Sequence, residues 1–266
     1  MKKVILGLSL LTASLLMANE HQIKIIQTPH KQIHQPKHNS THWGYTGHIA
    51  PQYWGDINPK FAMCKQGVNQ SPIDITPEVT VSTKDLNPIG FNYSADAINV
   101  LNNGHSIQVN VDAYSSIDID GEHYTLKQFH FHTPSENEID GRSFPLEAHF
   151  VHASADGKLA VIGVLFELGK PNKALQTIWD AMPKDAGQTN ELKLSSQMID
   201  TLLPKNKDYY YFNGSLTTPP CSEGVKWMVM KNYLTISKEQ VQMFLDVMKH
   251  PNNRPTMPLN ARKVLK

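Results

Sequence analysis

The stretch that decides the fold is QFHFHTPSEN, residues 128–137, in which polar and aromatic residues alternate. Successive side chains of a β-strand point to opposite faces, so His130 and His132 share one face with Gln128, and the two phenylalanines point the other way. One face of this strand is therefore suited to an apolar core, and the other carries two imidazoles. The stretch predicts a buried strand that presents metal-ligating groups on one side.

A second stretch, LEAHFVHA at residues 146–153, repeats the arrangement, since Glu147, His149 and Val151 share one face by the same alternation. If the two strands lie side by side, three imidazoles converge on one point. Three histidines with a fourth position left to water are the ligand set of a catalytic zinc site. A structural zinc site with four protein ligands, typically including thiolates, is not favoured because no cysteine is available here. Spacing alone does not show that the strands are neighbours.

In both stretches a hydrogen-bonding side chain stands two positions before the first imidazole, Gln128 in one and Glu147 in the other. Imidazoles that bind a metal usually donate their other N–H to a carboxylate, carbonyl or amide oxygen. Gln128 and Glu147 are therefore predicted to hold the ligands in place. His123 and His152 are interpreted as surface or core residues.

The rest of the chain predicts a mostly β fold. Short β-branched runs such as INVLNNGHSIQVNVD and KLAVIGVLFELG are separated by turn signals, including Asp120-Gly121 and Asp156-Gly157. Only two helices are readable, one capped by Asn172 and one that begins with a capping box at Ser237 and Gln240. Many strands and few helices, with no regular alternation of the two, predict a large, twisted, mainly antiparallel central sheet with a few peripheral helices.

The N-terminal residues predict export. Residues 1–18, MKKVILGLSLLTASLLMA, have the basic start, the short apolar run and the small final residue of a signal peptide. A buried N-terminal helix is the alternative. Residues 19–41 form a polar, His-rich leader, and residues 42–266 form one large domain. No later segment is apolar enough to span a membrane, so the mature protein is expected in the periplasm or outside the cell.

Charge and cysteine content limit which binding partners and which cellular compartment the sequence indicates. The chain has 25 basic and 24 acidic residues, which gives no reason to expect nucleic acid or an anionic membrane as partner. Its two cysteines, Cys64 and Cys221, are interpreted as a disulfide, with two separate buried thiols as the alternative. The leader contains several histidines, which suit either loose metal capture or a solvated tether. They are His21, His30, His34 and His38, with His42 at the end of the leader.

Eight motifs in order, between His42 and about Lys263, make the chain resemble the alpha-class carbonic anhydrases, most closely their exported bacterial members. They are HWGY, NQSPIDI, LNNGHSIQVN, QFHFHTPSEN, PLEAHFVHA, LAVIGVLFELG, GSLTTPPCSEGVKW and HPNNRP. The resemblance implies the alpha-carbonic anhydrase fold and the reversible hydration of carbon dioxide to bicarbonate and a proton. It also implies that Cys64 and Cys221 form the disulfide typical of bacterial members.

The same resemblance implies the catalytic groups. His130, His132 and His149 correspond to the ligands of a zinc ion whose bound hydroxide attacks carbon dioxide. Thr217 corresponds to the residue that orients this hydroxide while donating its own proton to Glu136. Residues of the substrate pocket correspond to Val151, Val161, Leu216, Thr218, Val225 and Trp227.

Proton release is assigned by resemblance as well. His105 corresponds to the proton shuttle, and Tyr45, Asn103 and Gln108 correspond to residues that order the relay waters. Strict strand alternation places His105 and Gln108 on opposite faces, so a β-bulge near Gly104 is expected.

Two departures from the family pattern stand out. Asn137 occupies a position where the family usually has histidine; it can form hydrogen bonds but cannot carry charge. Gln108 replaces what is often a smaller amide or another residue. Activity is expected to survive the first change, although local stability or the polarisation of Glu136 is in question. The sequence leaves the oligomeric state open, a homodimer included.

Two other functions remain as alternatives, a catalytically silent binding module and a zinc hydrolase acting on esters. Silent relatives lose zinc histidines, and none is lost here. An ester hydrolase needs a dedicated substrate cleft, which the sequence does not indicate.

Overall fold

A computed structural model describes residues 42–266, and these residues are built mainly from β-strands. The strands are β1 Asp74–Ile75, β2 Thr80–Val81, β3 Gly90–Asn92, β4 Ala97–Asn102, β5 Ile107–Val111, β6 Ser116–Ile119, β7 Glu122–His132, β8 Glu138–Ile139, β9 Leu146–Ala153, β10 Leu159–Leu168, β11 Thr189–Glu191, β12 Tyr209–Ser215, β13 Glu223–Met230, β14 Leu234–Ile236 and β15 Val264–Leu265. The α-helices are α1 Trp54–Ile57, α2 Met63–Gln66, α3 Lys173–Ala181, α4 Ser196–Asp200 and α5 Lys238–Met248. Short 3₁₀-helices span Gly47–Ile49, Pro51–Tyr53, Pro59–Phe61 and Pro77–Val79. The predicted signal peptide and leader, residues 1–41, lie outside the described residues.

One sheet of 13 strands dominates the described residues, in the order β11-β4-β5-β7-β9-β10-β13-β12-β15-β2, with β3, β6 and β14 attached at its sides. The prediction of a mostly β fold is confirmed, but the sheet is mixed. β10 runs parallel to both β13 and β14, and β15 runs parallel to β2. A parallel pair needs a long crossover, and the segment between β10 and β13 carries two helices and two strands.

The two histidine-bearing strands are neighbours at the centre of the sheet. β7 and β9 pair antiparallel, with His130 directly opposite His149 and His132 opposite Glu147. The register shifts between Leu126 and Gln128, so the strand changes face there. This shift lets Leu126 enter the core while the histidines face the other side.

The sheet separates two apolar cores. On one side, Phe129 and Phe131 are fully buried beneath α3 and α5, and Phe129 stacks on Phe150 with ring centroids 4.9 Å apart. On the other side, a smaller cluster gathers around Val161 and Trp227. The imidazoles lie on this second side, so the aromatic alternation of β7 gives one face to the main core and the other to the site.

The helix and turn signals are confirmed. The Asn172 side chain accepts from the Leu175 N–H at the start of α3, and Ser237 and Gln240 form the predicted capping box of α5. Asp120 and Gly121 both have positive φ in the hairpin between β6 and β7, which is the backbone that a two-residue turn requires. In residues 42–266, none of the helices is long and apolar enough to cross a bilayer.

Candidate metal centre and active site

Three imidazoles converge on the cavity side of the central strands. His130, His132 and His149 each offer one nitrogen, and these nitrogens lie within 4.8 Å of one another. His132 and His149 are each 1% exposed, so water competes poorly for their nitrogens. The predicted triad is therefore assembled by the direct pairing of β7 with β9, and it is positioned to bind a metal ion.

Two of the three rings are oriented by hydrogen bonds to their Nδ1 atoms. Nδ1 of His130 lies 2.9 Å from Oε1 of Gln128, the partner that the sequence predicted. Nδ1 of His132 lies 2.6 Å from the carbonyl oxygen of Asn252, a residue that the sequence analysis did not single out. Both contacts require an N–H at Nδ1, so Nε2 of each ring is left with a lone pair facing the cavity.

The third ring is turned the other way. Nε2 of His149 lies 3.0 Å from Oε1 of Glu147, which leaves its Nδ1 toward the other two histidines. The contact has an ion-pair distance, but the N–H is not directed at the oxygen well enough to form an aligned hydrogen bond. Glu147 thus stands where the sequence predicted a carboxylate partner.

The donor set fits a resident zinc ion. Nε2 of His132 is buried and has no hydrogen-bond partner among the described residues, an arrangement that proteins avoid unless another atom fills the role. Burial lowers the pKa of both His130 and His132, and the neighbouring imidazoles lower that of His130 further. Neutral rings are the form that binds metal, and an all-nitrogen set without thiolates matches catalytic rather than structural zinc.

A buried carboxylate lies beside the triad. Glu136 is 1% exposed, and its Oε1 accepts from the backbone N–H of Arg254 at 2.8 Å. Burial raises the pKa of Glu136 to about 7, opposed by His149 and by the Thr217 hydroxyl close to it. Oε2 of Glu136 is buried without an aligned hydrogen bond among the described residues. Thr217, 5% exposed, therefore stands next to the carboxylate with which the sequence paired it.

The apolar wall residues come together beside His149. Val161 pairs with Val151 on one neighbouring strand and with Trp227 on the other. The Trp227 ring packs edge-on against His149, with centroids 4.8 Å apart. All the predicted apolar pocket residues belong to one cluster, namely Val151, Val161, Leu216, Val225 and Trp227. Strands far apart in sequence thus supply one apolar surface next to the triad.

A cavity of about 140 Å³ opens in front of the histidines. Its lining includes most of the predicted polar residues, namely Tyr45, Asn103, His105, Gln108, Gln128, His130, His132 and Thr218, together with Trp43 and Ser106. A larger cavity of about 300 Å³ lies between Pro51, Lys65, Arg254 and Met257. Of the predicted site residues it contains only Cys64, so the smaller cavity is the one that matters for chemistry.

His105 is half-buried at the mouth of this cavity. Its ring stacks on Trp43, with centroids 3.7 Å apart and planes 8° apart. Burial lowers the pKa of His105, and His42 and His250 lower it further. Asn103 donates to the side-chain oxygen of Gln108 at 3.3 Å, so two polar residues of the cavity lining are joined by a hydrogen bond.

The expected β-bulge near Gly104 is not how His105 and Gln108 reach the same cavity. β4 and β5 keep regular register up to Asn102 and Ile107, and the register shift in this pair lies near Ala97 instead. His105 belongs to the turn between the strands, where Asn103 Oδ1 accepts from the backbone N–H of His105 at 2.9 Å. Because a turn residue is free of strand alternation, no bulge is needed.

The threonine loop is anchored by a disulfide and a buried cation. Cys64 and Cys221 are joined, and the Cys221 N–H donates to the Thr218 carbonyl at 2.9 Å. Arg254, 2% exposed, donates from Nη2 to the Cys64 carbonyl and from its backbone N–H to Glu136. The disulfide predicted from the cysteine count therefore connects, through Arg254, to the buried carboxylate of the site.

The departure at Asn137 preserves a hydrogen bond. Asn137 Nδ2 donates to Oε1 of Glu147 at 2.7 Å, and its backbone N–H donates to Oε2 at 2.8 Å. Burial acts to raise the pKa of Glu147, but His149 and, to a lesser extent, Asn137 together bring it below its ordinary value. Among the described residues, the neutral amide of Asn137 therefore forms a side-chain hydrogen bond with Glu147 and none with the Glu136 carboxylate.

Three residues of the site were missed by sequence reasoning. Asn252 orients His132 and also donates to the His105 carbonyl, and Arg254 supports Glu136. Gly163 lies opposite His149, where a Cβ would stand 2.9 Å from Oε1 of Glu147. Asn252 and Arg254 belong to the HPNNRP motif, but nothing in the sequence pattern linked them to residues more than 100 positions earlier. Gly163 stands inside an ordinary β-branched run.

Comparison with known proteins identifies the family. A family model described as eukaryotic-type carbonic anhydrase matches residues 49–266. A carbonic anhydrase of Neisseria gonorrhoeae is 50% identical over 229 residues, covering 85% of this chain and 88% of that protein. One from Pectobacterium carotovorum is 45% identical over 227 residues, covering 85% and 91%.

Solved structures agree with the sequence matches. The alpha-carbonic anhydrase of Thermovibrio ammonificans, in complex with the inhibitor sulfanilamide, has a TM-score of 0.82 and 48% identity, and the match covers 85% of this chain and 100% of that one. Sequence, fold and a metal-competent histidine triad point the same way, and the chain belongs to the alpha-class carbonic anhydrase family.

Proposed function

We propose that this enzyme catalyses the reversible hydration of carbon dioxide to bicarbonate and a proton, with zinc as its metal. The observation that carries the proposal is the convergence of three imidazole nitrogens within 4.8 Å of one another, two of them on rings oriented by hydrogen bonds, beside an apolar wall. A zinc ion held there supplies a Lewis acid that makes hydroxide available near neutral pH.

The substrate is bound by exclusion of water rather than by polar recognition. Carbon dioxide has no net dipole, so a surface of Val151, Val161 and Trp227 beside His149 suits it. This apolar surface favours carbon dioxide hydration as the main reaction.

Thr217 and Glu136 are assigned the orientation of the nucleophile. Oε2 of Glu136 has no aligned hydrogen bond among the described residues, and the Thr217 hydroxyl lies close to this carboxylate. Oε2 is therefore available to accept from the Thr217 hydroxyl. A hydroxyl that donates to a carboxylate offers only its lone pairs to a second partner, so it accepts from the O–H of the attacking hydroxide. That arrangement directs the nucleophile's own lone pair toward the carbon atom.

His105 is assigned the removal of the proton. Its imidazole lies at the mouth of the cavity, and an imidazole both takes and releases protons near neutral pH. Tyr45, Asn103 and Gln108 line the same cavity as His105, His130 and His132, which supports assigning them the ordering of relay water. The stacking of His105 on Trp43, which lines the same cavity, restrains the orientation of the ring.

A hydration assay with parallel metal analysis tests the proposal. The purified chain is expected to contain one equivalent of zinc and to accelerate hydration, and a strong chelator should remove both. His149→Ala should lose zinc and fall to the rate of buffer alone. His123→Ala is the matched control on β7 and should behave as wild type, since His123 is exposed and its side chain contacts Asp118 rather than the triad. A His149→Ala protein that keeps one equivalent of zinc, or a zinc-loaded wild type no faster than buffer, would refute the assignment.

We further propose that the enzyme acts outside the cytoplasm. The signal-peptide pattern of residues 1–18 and the Cys64–Cys221 disulfide support this, because disulfides persist in oxidising compartments. Cell fractionation of chains with and without residues 1–18 tests it. The full chain should appear outside the cytoplasm, shortened at its N-terminus, and the truncated chain inside; equal distribution of the two would contradict the proposal.

A further inference from the structure

Glu147 sits in a closed arrangement of donors at the centre of the sheet. The residue is 0% exposed. Its Oε2 accepts from the backbone N–H groups of Glu136 and Asn137, both at 2.8 Å. Its Oε1 accepts from Asn137 Nδ2 at 2.7 Å and faces Nε2 of His149 at 3.0 Å. The side chain of Asn137 is therefore the one group, among the described residues, that donates an aligned hydrogen bond to the oxygen touching the metal-ligand histidine.

The orientation of the Asn137 amide is determined by a second contact. Its Oδ1 accepts from the backbone N–H of Ile73 at 3.2 Å, a group that can only donate. A flipped amide would place two donors together at Ile73 and two acceptors together at Glu147. Asn137 is 0% exposed, so water cannot relieve either clash. The Nδ2–H is thus held toward the carboxylate.

The opposite side of the carboxylate is bounded by backbone. Gly163 pairs with His149 across β10, and a Cβ at that position would stand 2.9 Å from Oε1 of Glu147. Glu147 therefore occupies the space that a side chain at Gly163 would need. Gly163 thus leaves the room that Oε1 occupies, and the Asn137 donor holds Oε1 there, against Nε2 of His149.

We propose that Asn137 is a positioning residue of the metal centre, which holds Glu147 against His149 and thereby sets how slowly the metal leaves. The inference rests on the proposed function only in taking zinc as the metal. Carboxylates that orient a ligand histidine typically change metal affinity 10- to 100-fold when they are disturbed. Without the Nδ2 donor, Oε1 keeps only the His149 contact and can rotate about the two backbone donors on Oε2.

The test is the rate at which zinc leaves the loaded full-length enzyme into excess chelator. Asn137→Ala is expected to release zinc at least about tenfold faster than wild type. Asn190→Ala is the matched control, because Asn190 also makes one side-chain hydrogen bond, to the Ala181 carbonyl, but is exposed on the edge strand β11. Its release rate should stay within about twofold of wild type.

A double-mutant cycle separates positioning from a general loss of stability. In the Glu147→Gln background, Asn137→Ala should change the release rate by less than about twofold, since the carboxylate through which it acts is gone. Thermal unfolding of the zinc-free proteins is recorded in parallel. If Asn137→Ala fails to fold, Asn137→Leu, which is of similar size and has neither a donor nor a charge, replaces it and is expected to show the same dependence on Glu147.

Two results would overturn the inference. One is a release rate for the Asn137 variant within twofold of wild type. The other is an equal acceleration in the wild-type and Glu147→Gln backgrounds, which would show that Asn137 acts independently of the carboxylate. Zinc release is measured without carbon dioxide, so a failure to hydrate carbon dioxide refutes the proposed function and leaves this result standing.

Discussion

Acidification is predicted to destabilise this enzyme through His152, a buried histidine that the catalytic proposal does not use. His152 follows His149 on β9 but points into the main core, where it is 0% exposed. Its Nδ1 lies 3.3 Å from the Ala160 carbonyl, so that nitrogen carries the proton, and its Nε2 accepts from the Tyr93 hydroxyl at 2.8 Å. Protonation would place a charge on a ring whose surroundings are apolar.

The magnitude follows from the shift in proton affinity. Burial lowers the pKa of His152 to about 3, partly opposed by the carbonyls of Ala160 and Phe150, whereas the unfolded chain has the ordinary value of about 6.5. Between these two values the unfolded state binds a proton that the folded state does not, so the free energy of unfolding decreases as pH falls. Above pH 6.5 His152 has no such effect. At pH 5 the loss is about 2 kcal/mol, from about 1.4 kcal/mol per pH unit.

Urea unfolding at pH 7.5 and pH 5.0 measures this loss. It is carried out with excess chelator, so that metal release does not contribute. The free energy of unfolding of wild type should fall by about 2 kcal/mol more than that of His152→Gln between the two pH values. Other titrating groups are common to both proteins and cancel in the difference. His123→Gln, at an exposed position, should lose as much as wild type.

An equal loss in wild type and His152→Gln, within about 0.5 kcal/mol, would refute the reasoning. It would mean that the core around His152 admits the proton, through water or through a rearrangement of Tyr93. Any constant cost of the substitution itself does not affect this outcome, because only the change between the two pH values is compared.

The remaining predictions concern the proton shuttle, the support of the metal ligands and the disulfide. His105→Ala should slow hydration in weak buffer by about a hundredfold and recover with added imidazole, and a rate insensitive to both would place the proton shuttle elsewhere. Gly163→Ala should weaken zinc binding in competition titrations, because its Cβ would stand 2.9 Å from Glu147 Oε1; unchanged affinity would show that the carboxylate can move aside. Reducing the Cys64–Cys221 bond should lower the free energy of unfolding by up to about 5 kcal/mol for a separation of 157 residues, and an unchanged urea midpoint would show that the loop is held by other contacts.

The ligand set could be predicted because its signal is local. Alternation places Gln128, His130 and His132 on one face of a strand, and the same rule places Glu147 with His149. The hairpin turns and helix caps are equally local, since they depend on residues two to four positions apart. These predictions needed no knowledge of which strands pair.

The support of the ligands could not be predicted in the same way. The carbonyl of Asn252 binds the ring of His132 across 120 positions of sequence, and a carbonyl leaves no trace in residue type. The bulge expected near Gly104 was wrong because alternation holds only within a strand, and His105 belongs to a turn.

The sequence by itself determined the family and the face that carries each imidazole, and it predicted the disulfide that the structure confirms. Only the tertiary structure decided that β7 lies beside β9, that the sheet is mixed, and that Asn137 and Gly163 enclose Glu147. The physical reason is the separation along the chain between the residues that decide each feature. Side-chain direction within a strand is set by neighbouring backbone dihedrals, whereas contacts between strands depend on packing and hydrogen bonding among segments that meet only when the whole sheet has formed.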